Sequence, residues 1–553
     1  MSGSVSSDRP PQYLLQVTTM WIILLLCIIA VLIYFKLIKP LNYWKEKGIP
    51  YQKSWPVLGN MIEFIMQKKS LFEVVQDLYI TFPNERYNGV HQFTKPVLLI
   101  RDLDLIKKIT VKDFDHFMDH FPVILEDVDP LMGKNLLALR GQRWRDMRAT
   151  LSPSFTGNKM RMMYDLLYDC AEQFTKYFQT QCDDVTTVEI KDVFTRFTND
   201  AIASVAFGLK VDSFQDRNNE FYLMGKEATT FSGILASLKF VVINTSPTLT
   251  KLFKLQFFSK RTSKFFRSII KQTIEQRENQ VLVRPDMIHL LMEARKGRLH
   301  HEEQKETNGD AGFAIVEESD VGKASKYQKP QLSDEDITAQ ALIFLFGGFD
   351  TTATLMSFIA YELAVNSDVQ RKLQEEIDEA LESNKGKINY DALLRIKYLD
   401  MVVSETLRKW PPGFQLDRVC VKEYTIQPEK PTERPVVIEK DQLVLIPVAG
   451  IHHDPKYFSN PEKFDPERFN EENKHSIKPS SYMPFGSGPR SCIASRLALL
   501  ENKIIICHLL AKFDIVPVTK TIIPLKMGVK SFNFIPDGGI WLGLQQRKSA
   551  VNY

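Results

Sequence analysis

The chain has 553 residues, 44% of them apolar and 25% charged, with a net charge of only +4. That apolar share can bury a large core and excludes a disordered chain. A balance of 71 basic against 67 acidic residues, with no basic run interleaved with aromatics, excludes a nucleic-acid binder.

The first element is Val17–Phe35, "VTTMWIILLLCIIAVLIYF", an uncharged run of the length that crosses a bilayer. No small-residue cleavage site follows it, so it reads as a retained single-pass anchor behind a short lumenal tail, residues 1–16. Lys36, Lys39, Lys45 and Lys47 lie after the span and only Asp8 and Arg9 before it, which places the downstream body in the cytosol. The cysteines agree with a reducing compartment. Cys27, Cys170, Cys182, Cys420, Cys492 and Cys507 are scattered with no CxxC pair, so neither a disulfide framework nor a zinc site is expected.

Residues 36–53 form a basic linker in which Pro40 and Pro50, with Pro56 beyond, prevent a continuous helix. A body over residues 54–546 follows. Two β-like runs, "NGVHQF" and "PVLLI", precede a long series of helical patterns, and strand-like runs return at "YTIQ", "PVVIE" and "LVLIPV". The fold class is therefore mainly α with small β-sheets. In "GQRWRDMRATLSPSF", Trp144 and Arg148 share a helix face, fit either for the core or for an anionic group, while Arg140, Arg143 and Arg145 offer a solvated face or a docking face for an acidic partner. The stretch 231–260 mixes apolar residues with lysines in the manner of an interfacial segment, and 296–330 is polar enough for a surface insertion. No internal repeat is present.

Further along, "LIFLFGGFDTTATLMSFIAYELA" puts Gly347 and Gly348 inside an apolar helix at a cost of about 1 kcal/mol each relative to alanine. Close helix packing or a functional opening accounts for such a cost. "SETLRKWPP" places Glu405 and Arg408 one turn apart, and "FDPERF" supplies Arg468. Last comes "PFGSGPRSCIAS", where Gly486 and Gly488 allow a tight loop, Pro489 stiffens it, and Cys492 sits where the loop becomes a helix. A lone cysteine is ordinarily a small buried hydrophobe; a helix N-terminus beside it instead favours a thiolate.

Phe485, Gly488, Arg490 and Cys492 stand in the register FxxGxRxCxG, and on this loop the chain resembles the cytochrome P-450 superfamily, with Ala494 in place of the last glycine. The long insertion and the "FLFGGFDTTATLMSF" helix are most similar to insect microsomal members of family nine, in the clan of the drug-metabolising third family. The resemblance implies one catalytic domain holding haem b, with Cys492 as the axial thiolate and Phe485, Arg490, Trp144, Arg148 and Arg418 as haem contacts. It implies that Asp350 and Thr351 organise proton delivery on the distal side, and that Glu405, Arg408 and Arg468 form a buried structural network. It also implies a lipophilic pocket near Phe117, Phe344, Gly347, Phe414, Phe532 and Phe534.

The activity so implied is a monooxygenase of the endoplasmic reticulum, using O2 and NADPH electrons through a membrane reductase, with cytochrome b5 as a second donor and xenobiotics as substrates. The alternatives are a haem-thiolate isomerase or dehydratase acting on peroxides, which has little use for the Asp350–Thr351 pair, and a catalytically silent haem-binding protein.

Overall fold

The computed structural model describes residues 12–548 apart from 123, 182–183, 231–232, 281–283, 285, 298–311, 316–331, 432 and 532. Cys182, Phe532 and most of the 296–330 stretch therefore lie outside the described residues. The N-terminal apolar run is helical over Gln12–Ile33, and its hydropathic window has none of its surface buried in the rest of the protein.

Helix Asp334–Val365 is also long and apolar enough to cross a bilayer, but it is less apolar and mostly buried, as befits a core helix. Its start is well determined. Ser333 and Asp336 form a reciprocal cap, and three acids in the first turn complement the positive end of the helix dipole. It runs through the centre of the largest apolar cluster and packs most extensively on helix Ile190–Ile202. Helices Gly157–Gln181 and Ser495–Lys512 pack on each other beside it.

The sheets are small. A four-stranded sheet runs in the order Tyr87–Gln92, Lys95–Ile100, Leu443–Ile446, Leu416–Val419; its second and third strands are parallel and the other pairs antiparallel. Trp541–Gln546 lies between Val185–Glu189 and Phe513–Val516, and Tyr424–Ile426 pairs with Val436–Ile438. The sequence patterns did not bring out Val185–Glu189 or Leu416–Val419, which are strands because of distant partners.

One part of the expected surface insertion is not on the surface. Within 296–330, Ala314 is buried, Ile315 packs on the core, and Phe313 lies against Phe469 and Tyr482.

Candidate active site

The loop Met483–Ala494 is shaped by two glycines in left-handed conformations, Gly486 at φ 83° and Gly488 at φ 72°. A side chain at Gly488 would also run into the Thr110 carbonyl, so both conformation and space select glycine there. Gly486 N–H donates to Met483 O at 3.1 Å, and Cys492 N–H donates to Phe485 O at 2.8 Å, closing the turn around the cysteine. Helix Ser495–Lys512 begins immediately afterwards. Ala494 has φ −100°, a conformation any residue adopts, so the backbone does not require the glycine usual at that position in the resemblance.

Cys492 is exposed, whereas Cys420 and Cys507 are buried. Burial of the surrounding loop pushes its thiol up, while the Ala494 N–H and the Arg148 charge pull it down. A thiolate is the form that ligates, so binding of a metal to this sulfur would release the thiol proton. Among the described residues no three His, Cys, Asp or Glu side chains gather to hold a bare metal ion. A single sulfur would suit an iron whose remaining protein-independent ligands come from a macrocycle.

Cations surround this loop. Arg148 donates to Ser491 O at 2.9 Å, and Arg418 donates to Ser487 O at 3.1 Å and to Asp417 O at 2.7 Å. Burial lowers Arg418 to about 10, and among the described residues its Nε has no partner. An orphaned donor on a buried cation fits an anionic group such as a propionate. Arg490 is held by backbone carbonyls. It donates to Met118 O at 2.7 Å, Leu136 O at 3.3 Å and Leu139 O at 2.7 Å, and stacks 4.1 Å over Trp144. Its geometry ties residues 118–139 to the cysteine loop, and burial lowers it to about 9.

On helix Asp334–Val365 the adjacent glycines have different reasons to be there. A Cβ at Gly348 would come within 2.6 Å of Ile202 Cδ1, so that glycine permits close helix packing. A Cβ at Gly347 would meet nothing within 4 Å among the described residues. Gly347 and Thr351, one turn apart on one face, are exposed on a helix that is otherwise largely buried. The Thr351 hydroxyl donates to Gly347 O.

Asp350 points elsewhere. Its carboxylate lies 2.9 Å from Lys191 Nζ and accepts from Asn533 Nδ2 at 3.1 Å, and Lys191 also donates to the Asp350 carbonyl at 2.7 Å. Sequence reasoning missed Lys191 and Asn533. A lysine beside the apolar positions Ile190, Val193, Phe194 and Phe197 of an amphipathic helix was the available signal, since Lys191 is itself buried. Asn533, between two phenylalanines, offered no comparable one.

The network is brought together as the motifs suggest. Arg408 Nε lies 2.7 Å from Glu405 Oε2, and Arg468 Nε lies 3.3 Å from Glu405 Oε1. Arg408 also donates to His452 O at 3.0 Å and Pro461 O at 2.7 Å, and Asp465 N–H donates to Glu405 at 2.9 Å. Glu405 and Arg408 are fully buried.

The aromatic candidates separate. Phe344 is half-buried against Phe155, near the Gly347 stripe. Phe414 and Phe534 pack with each other and with Phe72. Phe117 is completely buried in a second core cluster against Tyr424; it is a packing residue there, not part of the Phe344 surroundings.

The family model for Cytochrome P450 matches residues 49–541. The chain is 46% identical over 522 residues to cytochrome P450 9e2 of Blattella germanica, covering 92% of this chain and 94% of that protein. It is 41% identical to the probable cytochrome P450 9f2 of Drosophila melanogaster over 96% of this chain and 100% of that protein, and 37% identical to cytochrome P450 9c1 of the same species over 94% and 98%. With an exposed cysteine on the signature loop, a buried guanidinium beside it whose Nε has no partner among the described residues, and matches of this extent, the chain belongs to the cytochrome P450 family and is a haem-thiolate monooxygenase supplied with NADPH-derived electrons by a reductase.

Proposed function

We propose that this enzyme oxidises lipophilic small molecules, xenobiotics among them, at a haem held by Cys492, with Thr351 and Asp350 managing protons. The carrying observation is the exposed Gly347–Thr351 stripe on a helix otherwise committed to the core. Haem b on a cysteine thiolate supplies oxygen activation and insertion of one oxygen atom into the substrate. Arg148 and the unpaired Nε of Arg418 would hold its anionic side chains. Gly347 leaves room above the helix, and Phe344 gives that space an apolar wall that favours lipophilic molecules and excludes water.

The Thr351 hydroxyl donates a hydrogen bond to Gly347 O, and its oxygen keeps acceptor capacity for a hydrogen bond from a water or other donor that would relay a proton. Asp350 is anchored by Lys191 and Asn533 at the preceding position of the helix, where its carboxylate stays partly exposed.

In the same proposal the Gln12–Ile33 helix anchors the protein in the endoplasmic reticulum membrane with the body facing the cytosol, and cytochrome b5 serves as a second donor. Leu235, Leu238, Leu252 and Phe253 display apolar surface in the 231–260 stretch, which supports a further membrane contact. Arg143 pairs with Glu126 and Arg145 with Asp115, yet Arg143 stays well exposed, in keeping with a donor-docking face.

Thr351→Ala tests the proton assignment. The haem ligand, haem reduction and substrate binding are expected to persist, while product formed per NADPH falls about tenfold as electrons leave as hydrogen peroxide. An unchanged product-to-NADPH ratio overturns the role of Thr351.

A further inference from the structure

The four described residues Gly312–Ile315, "GFAI", have no part in the site above, yet they are seated with unusual specificity. Gly312 has φ 120°, which favours glycine, and a side chain there would strike the Asp400 carboxylate and come within 3.1 Å of Lys503 Nζ. Phe313 N–H donates to Asp400 Oδ2 at 2.9 Å, and Asp400 pairs with the buried Lys503 at 2.8 Å. The Phe313 ring lies 5.1 Å from Phe469 and 5.5 Å from Tyr482, both edge-on or tilted contacts. Ala314 is buried beneath. A surface insertion has no need of a left-handed glycine, an amide-to-carboxylate bond and an inserted aromatic together.

What the segment touches gives the contact a purpose. Tyr482 stacks on His452 at 5.5 Å and 15°, and its hydroxyl donates to Ser404 O. His452 Nε2 accepts the N–H of Met483 at 3.0 Å, Met483 O accepts from Gly486, and Phe485 O accepts from Cys492. Phe469 is the neighbour of Arg468, which pairs with Glu405. Phe313 thus presses on the residue immediately before the cysteine loop and on one flank of the buried network.

We infer that Gly312–Ile315 is an intramolecular brace and that Phe313 is a positioning residue for the cysteine loop, acting through Tyr482 and His452 to hold Cys492 in its ligating geometry. The inference rests on the reading of Cys492 as the axial ligand.

The test uses the full-length, haem-loaded protein in urea below its unfolding transition. Two rates are followed separately: the loss of the red-shifted ferrous carbon monoxide band that marks thiolate ligation, and global unfolding by tryptophan fluorescence. Phe313→Ala and Gly312→Ala are expected to speed loss of that band roughly 3- to 10-fold, as loss of one aromatic pair would, with fluorescence unchanged. Phe313→Tyr is expected to restore the wild-type rate. The exposed Met162 supplies a control substitution, Met162→Ala, expected to change neither signal.

Band loss at the wild-type rate in Phe313→Ala overturns the brace, and so does band loss that only accompanies global unfolding. If Phe313→Ala yields no haem protein, Phe313→Leu, which keeps apolar bulk without the ring, carries the same comparison. Retention of the red-shifted band in Cys492→His would instead show that the ligand assignment had failed.

Discussion

Removing the Glu405 carboxylate should be among the most damaging single changes outside the cysteine loop. In Glu405→Ala the guanidinium of Arg408, fully buried, and that of Arg468, nearly so, lose their counter-charge, and the Asp465 N–H loses its acceptor. Breaking a buried ion pair by removing one partner costs about 3–5 kcal/mol. The Asp465 N–H is only half-buried and adds less than a fully buried unsatisfied amide, which costs about 1–3 kcal/mol. Against a whole-domain stability of about 5–15 kcal/mol, that loss leaves little margin. Glu405→Gln, which keeps an acceptor in place, is expected to lose about half as much, and replacing Glu405, Arg408 and Arg468 together by apolar residues is expected to recover part of the loss because no charge is stranded. The assay is the urea midpoint for loss of the red-shifted carbon monoxide band, with the yield of haem protein measured alongside. A Glu405→Ala protein within about 1 kcal/mol of wild type would refute the reasoning, because three stranded groups do not come that cheaply.

Cys492→His should abolish the red-shifted ferrous carbon monoxide band; its persistence would mean that another cysteine ligates the iron. Asn533→Ala and Lys191→Met each free Asp350 from one holder, and both are expected to lower product per NADPH without shifting the carbon monoxide band; normal coupling in both would remove Asp350 from the proton path. Burial, aided by the Arg408 charge, lowers His452 from its ordinary 6.5 to about 3, so the folded protein keeps it neutral while the unfolded chain takes up a proton as pH falls below 6.5. Stability is therefore complete above that pH and declines towards pH 3, by about 2 kcal/mol at pH 5 from this residue alone. His452→Gln should flatten that part of the urea midpoint profile, and parallel profiles for the two proteins would contradict the assignment.

The residues that announce themselves in the sequence do so because short-range spacing carries their chemistry. Gly488 and Cys492 lie on one loop, Glu405 and Arg408 on one helical turn, Gly347 and Thr351 on one face. What the sequence withheld depends on partners far along the chain. Lys191 becomes a functional neighbour only because helix Ile190–Ile202 packs on Asp350, and Asn533 only because the C-terminal turn comes back to the same carboxylate. Val185–Glu189 is a strand because Trp541–Gln546 lies beside it. Arg490 was legible as a member of the motif, but its three carbonyl acceptors at Met118, Leu136 and Leu139 were not, since backbone acceptors leave no mark in composition. The polarity of 296–330 indicated a surface segment and hid the four residues that dock.

The parallel pairing of Lys95–Ile100 with Leu443–Ile446 sets a timetable for synthesis. The hairpin Tyr87–Ile100 can close as soon as it leaves the ribosome, but one edge of it waits for roughly 340 further residues, about 20 to 70 s at ordinary elongation rates. Throughout that interval Lys95–Ile100 presents unpaired amides and the apolar row Val97–Ile100, the kind of open strand that recruits wrong partners. A nascent chain of this protein therefore needs shelter well before its catalytic loop exists, and the demand falls on its N-terminal third.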